Sequence, residues 1–158
     1  MVAKPREEFL LMPSPDLEIR VYRPEDLAQV IALWQRCKLV VPWNDPYRDI
    51  EHKVNWQPEL FLVGLLDGEL VATAMVGYEG HRGWINYLAV APAYQRWGYG
   101  RQIMAAAEDR LGALGCPKIN LQVRASNKDV IAFYRSLGYQ TDEVISLGKR
   151  LPTSSKNR

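Results

Sequence analysis

The sequence lacks most of the features that mark secreted, membrane-bound or nucleic-acid-binding proteins. It has only two cysteines, Cys37 and Cys116, which are far apart and lack the spacing of metal ligands. We therefore expect two reduced, buried thiols in a cytoplasmic protein, with no disulfide and no metal site. The formal net charge of +2 is too small to indicate a nucleic-acid partner. No apolar run approaches the roughly 18 residues of a membrane span, so no membrane partner is expected.

The length of the chain suffices for one domain with a core but hardly for two. Residues 1–16 contain three prolines and predict an N-terminal extension. Its apolar patch, Phe9–Met12, is too short for a signal peptide and follows the acidic Glu7 and Glu8. We expect a single domain over residues 17–150 and a polar C-terminal tail over 151–158.

The periodicity of the apolar residues predicts both strands and helices. Asp67-Gly68 predicts a hairpin turn, and Ser126 with Asp129 resembles a capping box. The predicted strands cover 17–22, 59–66, 69–78, 84–90, 118–123 and part of 139–147. The predicted helices cover 24–37, 46–56, the stretch from a glycine turn to Gly115, and the stretch from Ser126 to Gly138. The order β-α-α-β-β-β-α-β-α-β indicates an α/β (mixed α+β) fold with a mixed sheet and helices on its faces.

The glycine turn before the third helix is the most informative segment. It reads Gln95-Arg96-Trp97-Gly98-Tyr99-Gly100-Arg101. Glycine allows unusual backbone angles and close approach of a ligand, and the first N–H groups of a helix have no intrahelical acceptor. Together with the cations of Arg96 and Arg101, these groups predict a phosphate-binding site. A plain strand–helix turn with glycines for packing is the alternative.

Two motifs resemble those of the GNAT superfamily of N-acetyltransferases. One is Gln95-x-x-Gly98-x-Gly100; the other is Asn127 followed by Phe133-Tyr134-x-x-x-Gly138-Tyr139, with the strand at 118–123 between them. The segments 42–46, 80–83, 115–118 and 146–150 look more narrowly like the YpeA-type bacterial acetyltransferases. The resemblance covers about Leu17 to Arg150. It implies a central mixed, mostly antiparallel sheet flanked by helices.

The resemblance also implies that acetyl-CoA is the donor. The turn would hold its pyrophosphate, and the strand end Leu88–Val90 would pair with the pantetheine arm and polarise the thioester carbonyl. Asn127 would bond the pantetheine arm or a bridging water, with helix capping as the alternative. Tyr134 is similar to the tyrosine that protonates the departing thiolate, with a core aromatic role as the alternative. The expected donor-binding residues are Leu88, Ala89, Val90, Gln95, Arg96, Trp97, Gly98, Tyr99, Gly100, Arg101 and Asn127.

The acceptor side is marked less clearly. Some GNAT enzymes carry a glutamate on the strand before the glycine turn, but here that strand reads Trp84-Ile85-Asn86-Tyr87. Glu79 and His81 are the nearest titratable groups, and a water chain to backbone carbonyls, Asn86 or Tyr87 is an equal alternative as base. On the rim, Trp43 would wall the acceptor site and Asp45 or Asp49 would attract a cationic amine. Alternatively, Trp43 packs inward and Asp45 only starts a helix.

The expected activity is therefore that of an acyltransferase. It would move an acetyl group from acetyl-CoA to a primary amine of a small molecule, peptide or protein by direct attack on the thioester. The alternative is an acyl-CoA-binding module that acts as a sensor or partner without turnover. Because dimers are common among similar proteins, we also consider a homodimer, in which Phe9–Met12 would take part unless that segment is disordered.

Overall fold

The computed structural model describes residues 14–153. Its strands are β1 (Glu18–Val21), β2 (Phe61–Leu66), β3 (Glu69–Tyr78), β4 (Gly83–Val90) and β5 (Ile119–Leu121). Its α-helices are α1 (Leu27–Arg36), α2 (Pro46–Val54), α3 (Tyr99–Ala113) and α4 (Lys128–Ser136), and 3-10 helices cover Pro24–Asp26, Pro58–Leu60 and Pro92–Tyr94. The strands form one sheet in sequence order, antiparallel except for the parallel pair β4–β5. The predicted fold class, a mostly antiparallel sheet flanked by helices, is confirmed.

The chain divides into two units. The first ends at Gln122 and holds the sheet with α1, α2 and α3; the second begins at Val123 and holds α4. No helix within residues 14–153 is long and apolar enough to cross a membrane. Most of the predicted N-terminal extension, including Phe9–Met12, and the last five residues of the predicted tail lie outside the described residues.

Helices pack on both faces of the sheet in the first unit. Side chains alternate between the two faces of a strand, and Thr73 on β3 accepts a hydrogen bond from Trp34 on α1. Gly83 on β4 lies opposite Tyr78 and therefore on the other face, where a Cβ built on it would touch Leu111 on α3. The core between these layers includes the fully buried side chains of Trp34, Leu33, Phe61, Leu62, Leu70, Ile103, Met104 and Leu111.

Local sequence signals start and end the elements as predicted. The carboxylate of Asp45 accepts hydrogen bonds from the backbone N–H groups of Tyr47 and Arg48, at 3.1 and 3.2 Å, and so caps α2. Asp67 and Gly68 both have positive φ, +48° and +79°, as a two-residue hairpin turn requires. The helix start at Asp45 and the hairpin turn are thereby confirmed.

The last predicted strand is absent, because no strand forms within residues 139–153. This part of the chain carries four consecutive polar residues, Gln140–Glu143, ahead of its apolar ones, so it has no sustained alternation. Val144, Ile145 and Leu147 are 78, 87 and 91% exposed. A segment without a neighbouring strand forms no inter-strand hydrogen bonds, so its backbone groups bond to water instead and nothing favours the extended conformation. The predicted element order therefore loses its final strand.

Two smaller predictions also need correction. The cap of α4 is Asn127 rather than Ser126: its side-chain oxygen accepts from the backbone N–H of Val130 at 3.4 Å. Asn127 takes the non-helical conformation that a cap needs, one residue later than the pattern predicts. Cys37 and Cys116 are free, as expected, but both are half-buried rather than buried.

Candidate active site

Strand β4 is paired on only one side along its second half. It pairs with β5 only from Gly83 to Ile85, whereas Ala89 and Val90 still pair with β3. From Asn86 onward, no strand of residues 14–153 lies on the β5 side. Such an edge presents backbone N–H and C=O groups with which an extended ligand can pair. The predicted segment Leu88–Val90 lies on this open edge.

An irregularity in β4 gives Tyr87 a backbone conformation that bulky residues rarely adopt. The β3–β4 register shifts between Thr73 and Met75, and the φ angle of Tyr87 is +49°. Its carbonyl accepts a hydrogen bond from Oγ1 of Thr73 at 2.9 Å. Its ring stacks on Trp34 with 3.8 Å between centroids. These buried partners hold Tyr87 in place.

The glycine turn connects β4 to helix α3. Nε2 of Gln95 donates to the carbonyl of Val90 at 3.0 Å, which ties the turn to the end of β4. Arg96 and Gly98 have positive φ angles of +67° and +89°. Gly98 is the N-cap residue and provides no side-chain cap. The first i→i−4 bond of the helix runs from the N–H of Gln102 to the carbonyl of Gly98, so the preceding amides have no such acceptor.

The turn has the properties of an anion site. The side chains of Arg96, Trp97 and Arg101 are exposed. A Cβ on Gly98 would meet no atom within 4 Å, so the positive φ rather than packing requires glycine there. Open space, uncapped amides, the positive end of a helix and nearby cations suit a pyrophosphate. The turn therefore fits the pyrophosphate of acetyl-CoA, the donor that the resemblance implies.

A cavity of about 560 Å³ lies beside Tyr87 in the first unit. This volume falls within the range of small-molecule sites. Helix α2 contributes an acid, an imidazole and a lysine to its walls, and β3 and β4 contribute the floor. The lining residues are Asn44, Asp49, His52, Lys53, Trp56, Met75, Asn86 and Tyr87.

Asp49 and Tyr87 form the central polar contact of the cavity. The hydroxyl of Tyr87 donates to Oδ2 of Asp49 at 2.5 Å. Burial and this carboxylate both raise the pKa of Tyr87, so the phenol keeps its proton. Within residues 14–153, Oδ1 of Asp49 accepts no hydrogen bond. It is therefore available to a ligand.

The predicted acceptor residues Trp43, Asp45 and Glu79 do not line this cavity. Asp45 caps α2, and Trp43 is 51% exposed. The carboxylate of Glu79 accepts from the backbone N–H groups of His81 and Arg82 and so closes the turn that precedes β4. Of the predicted rim acids, only Asp49 faces the cavity.

The second unit contains the two remaining predicted residues. Asn127 caps α4, as the alternative interpretation held. Tyr134 is 8% exposed, and its ring makes edge contacts with Phe133 and Tyr139 at centroid distances of 5.1 and 5.7 Å. Burial raises the pKa of Tyr134 to about 12. Its catalytic role stays a prediction.

Four cavity residues were missed by the sequence interpretation: His52, Lys53, Trp56 and Met75. Their signal is in the helical spacing, because Asp49, His52, Lys53 and Trp56 follow at i, i+3, i+4 and i+7. These four residues share one face of α2 and its C-terminal turn. In a sequence, polar residues at this spacing usually indicate a helix face exposed to solvent. The structure shows a cavity instead, because Met75 of the neighbouring strand β3 lies across from this face.

Comparison with known proteins identifies the family. The profile of the Acetyltransferase (GNAT) family matches residues 27–139. An acetyltransferase of Sodalis glossinidius is 51% identical over 136 residues, covering 85% of this chain and 96% of that protein. An acetyltransferase of Yersinia pestis is 47% identical over 135 residues, with the same coverage of both chains.

Among solved structures, the ribosomal-protein-S18-alanine N-acetyltransferase from Escherichia coli is similar, with a TM-score of 0.65 and 27% identity over 77% of this chain and 76% of that one. A PaiA N-acetyltransferase from Thermoplasma acidophilum in complex with coenzyme A has the same fold, with a TM-score of 0.65 and 18% identity over 83% of this chain and 94% of that one. The matched profile spans most of the chain. This protein therefore belongs to the GNAT family of acetyltransferases.

Proposed function

We propose that this protein transfers the acetyl group of acetyl-CoA to a primary amine of a small molecule, peptide or protein. One observation carries the proposal: the open edge of β4 connects the cavity to the glycine turn. Tyr87 lines the cavity, Leu88–Val90 follow on the open edge, and Gln95–Arg101 form the turn. A donor held by its pyrophosphate at the turn and paired along this edge would present its thioester at the cavity.

Acetyl-CoA supplies the reactive thioester, and the protein binds and orients it. We assign the backbone amides of Arg96–Gly100 to the pyrophosphate, with the charges of Arg96 and Arg101 beside them. A backbone N–H of Leu88 or Ala89 would polarise the thioester carbonyl. The PaiA enzyme of similar fold binds coenzyme A, which supports the same donor here.

The acceptor amine would enter the cavity beside Asp49, whose carboxylate attracts an ammonium group. Because β4 carries no carboxylate and Glu79 is engaged in a turn, the amine would lose its proton to water beside Asp49. Its nitrogen then bonds to the carbonyl carbon, and the carbon–sulfur bond breaks.

We assign Tyr134 as the acid that protonates the departing thiolate. The assignment rests on the GNAT motif and on the raised pKa of about 12, which keeps the phenol protonated at neutral pH. Asn127 uses its oxygen to cap α4, and we assign its amide N–H groups to the pantetheine arm. The two free cysteines suit the reducing cytoplasm, which we propose as the location.

The missing carboxylate on β4 also favours a second candidate, an acyl-CoA-binding module without turnover. Release of the CoA thiol with a panel of primary amines, together with calorimetric titration of acetyl-CoA, separates the two. Thiol release that depends on an amine supports the enzyme. Acetyl-CoA binding without release with any amine supports the module, and absence of binding contradicts both.

Gly98→Ala tests the turn, with Gly68→Ala as the matched control. Both glycines have positive φ, and a Cβ on either meets no atom within 4 Å, so each substitution should cost about 1 kcal/mol of stability. Only Gly98→Ala should weaken acetyl-CoA binding, by about tenfold or more. Equal affinities in the two variants would contradict the assignment of the pyrophosphate to this turn.

A further inference from the structure

We propose that the acceptor is a small zwitterion, an amine that also carries a carboxylate, with Lys53 binding the carboxylate and Asp49 the ammonium group. The inference deepens the proposed function and rests on it for the identity of the reacting amine. It is carried by two opposite charges that line one cavity without neutralising each other.

Lys53 lines the cavity and has no polar partner within residues 14–153. The residue as a whole is only 8% exposed, and lysine is almost never buried unless it is paired. Within residues 14–153 its ammonium group makes no hydrogen bond and no ion pair. The ion pair found in this part of the chain joins two other residues, Arg20 and Asp26. Burial lowers the pKa of Lys53, and the charge of Glu59 opposes this effect. An anionic ligand group would supply the missing partner.

The ammonium group of Lys53 lies on the face of β3 that forms the cavity floor. A Cβ built on Gly77 would lie 3.9 Å from Nζ of Lys53. Gly77 is two residues from Met75, which lines the cavity, and residues two apart on a strand share a face. Lys53 is therefore directed over the floor of the cavity.

Asp49 and Lys53 are one helical turn apart, a spacing at which opposite charges commonly pair. Here they do not pair, because Tyr87 holds Oδ2 of Asp49 at 2.5 Å and Lys53 extends to β3. The cavity thus offers a negative and a positive group that do not pair with each other. These two groups suit the two charged ends of an amino acid, and a cavity of about 560 Å³ leaves room for its side chain.

The segment that follows α2 is anchored to β3. The side-chain amide of Gln57 donates to the carbonyl of Tyr78 at 2.6 Å and accepts from its N–H at 3.0 Å. This pair of bonds fixes the segment after α2 to the end of β3. The helix end that carries Lys53 is therefore held in place before a ligand binds, which lowers the ordering cost of binding.

The test compares amino acids with the amines that remain when their carboxylate is removed, such as leucine with isopentylamine and phenylalanine with phenethylamine. The full chain is assayed by release of the CoA thiol. We expect kcat/KM to be about tenfold or more higher for the amino acid of each pair, as a buried hydrogen bond between charged groups implies. A preference for the amine without a carboxylate overturns the inference.

Lys53→Gln should abolish this preference: kcat/KM for the amino acid falls to that for the amine, whose own value changes less than about twofold. Lys53→Arg keeps the charge and should keep part of the preference, and Lys149→Gln, at an exposed position outside the cavity, should leave it unchanged. The inference would be overturned if Lys53→Gln lowered kcat/KM equally for the amino acid and for its amine while its thermal unfolding stayed unchanged. That result would indicate that Lys53 acts as a base.

Failure of the proposed function can be told apart from failure of this inference. If no amine is acetylated although acetyl-CoA binds, acetyl transfer by this protein is disproved. The charge inference is then tested by calorimetric titration of leucine and isopentylamine into the protein saturated with CoA. Tighter binding of leucine that is lost in Lys53→Gln supports a zwitterion-binding cavity, and equal or absent binding of the two overturns it.

Discussion

Among single residues, Tyr87 shows how the buried core positions the candidate site. Its positive φ angle would cost a bulky residue free energy if nothing compensated for it. Trp34, which is fully buried, donates through its indole N–H to Thr73 at 2.8 Å, and Thr73 in turn donates to the carbonyl of Tyr87. Stacking on Trp34 fixes the ring, so that the hydroxyl meets Asp49. The polar contact in the cavity thus depends on residues that line no part of it.

Tyr134→Phe tests the proposed acid. Burial raises the pKa of Tyr134 to about 12, so the phenol is protonated throughout the neutral range and can donate to the thiolate. Removing the hydroxyl should lower kcat about 100-fold, the lower range for a general acid, while the affinity for acetyl-CoA changes less than about threefold. Steady-state thiol release and calorimetric titration measure the two quantities.

Tyr139→Phe is the matched control, because this ring packs against Tyr134 and loses the same hydroxyl group. It should retain a kcat near that of the unmodified protein. Unchanged turnover in Tyr134→Phe, or the same loss in both variants, would show that the Tyr134 hydroxyl has no acid role.

The sequence indicates some site residues better than others, for a physical reason. Gln95 and Gly98 act through local backbone geometry, so their spacing alone predicts the turn that the structure shows. The placement of Lys53 in the cavity depends on α2 and β3 coming together, and no short motif encodes that arrangement. Glu79 was a reasonable candidate base by proximity in the chain, but its carboxylate is engaged by the backbone of its own turn.

Among the elements, the contact between β4 and α3 depends on the absence of a side chain at Gly83. A Cβ there would lie 2.8 Å from Cδ1 of Leu111 and 3.0 Å from Sγ of Cys116. Leu111 is 1% exposed and has little room to move. We expect Gly83→Ala to lower the free energy of unfolding by about 1–3 kcal/mol, the usual cost of overpacking a core. Urea denaturation measures it.

Gly112→Ala is the control from the same helix, one residue after Leu111. Its Cβ would meet no atom within 4 Å, and alanine favours the helical state. This variant should therefore gain about 0.5–1 kcal/mol. A stabilised Gly83→Ala, or a Gly112→Ala that is destabilised to the same extent, would contradict the proposed packing of β4 against α3.

Elements with strong local signals were predicted well. The hairpin at Asp67-Gly68 and the start of α2 at Asp45 depend on residues that are adjacent in the chain, and β3 has its predicted bounds. The last strand failed because strand formation depends on a neighbouring strand, which a single segment cannot encode. Val144 and Ile145 have the β-branched character of strand residues, yet both are exposed.

For the whole chain, the two units differ in how much of each is buried. The first contains the sheet and nearly all the buried side chains, whereas Tyr134 is the one buried side chain among residues 123–153. A segment of this size cannot form a large core of its own. Local opening should therefore cost less free energy in the second unit than in the sheet.

Hydrogen exchange followed by mass spectrometry tests this difference. Amides of β2 and β3, which are buried and paired on both sides, should exchange slowest, through opening close to global unfolding. Amides of residues 140–153, whose side chains are almost all exposed, should exchange orders of magnitude faster. Protection of 142–150 as strong as that of β3 would contradict this picture. If that protection fell on dilution, a second copy of the chain would cover the exposed Val144, Ile145 and Leu147. Such a homodimer would form through another segment than the Phe9–Met12 patch considered from the sequence.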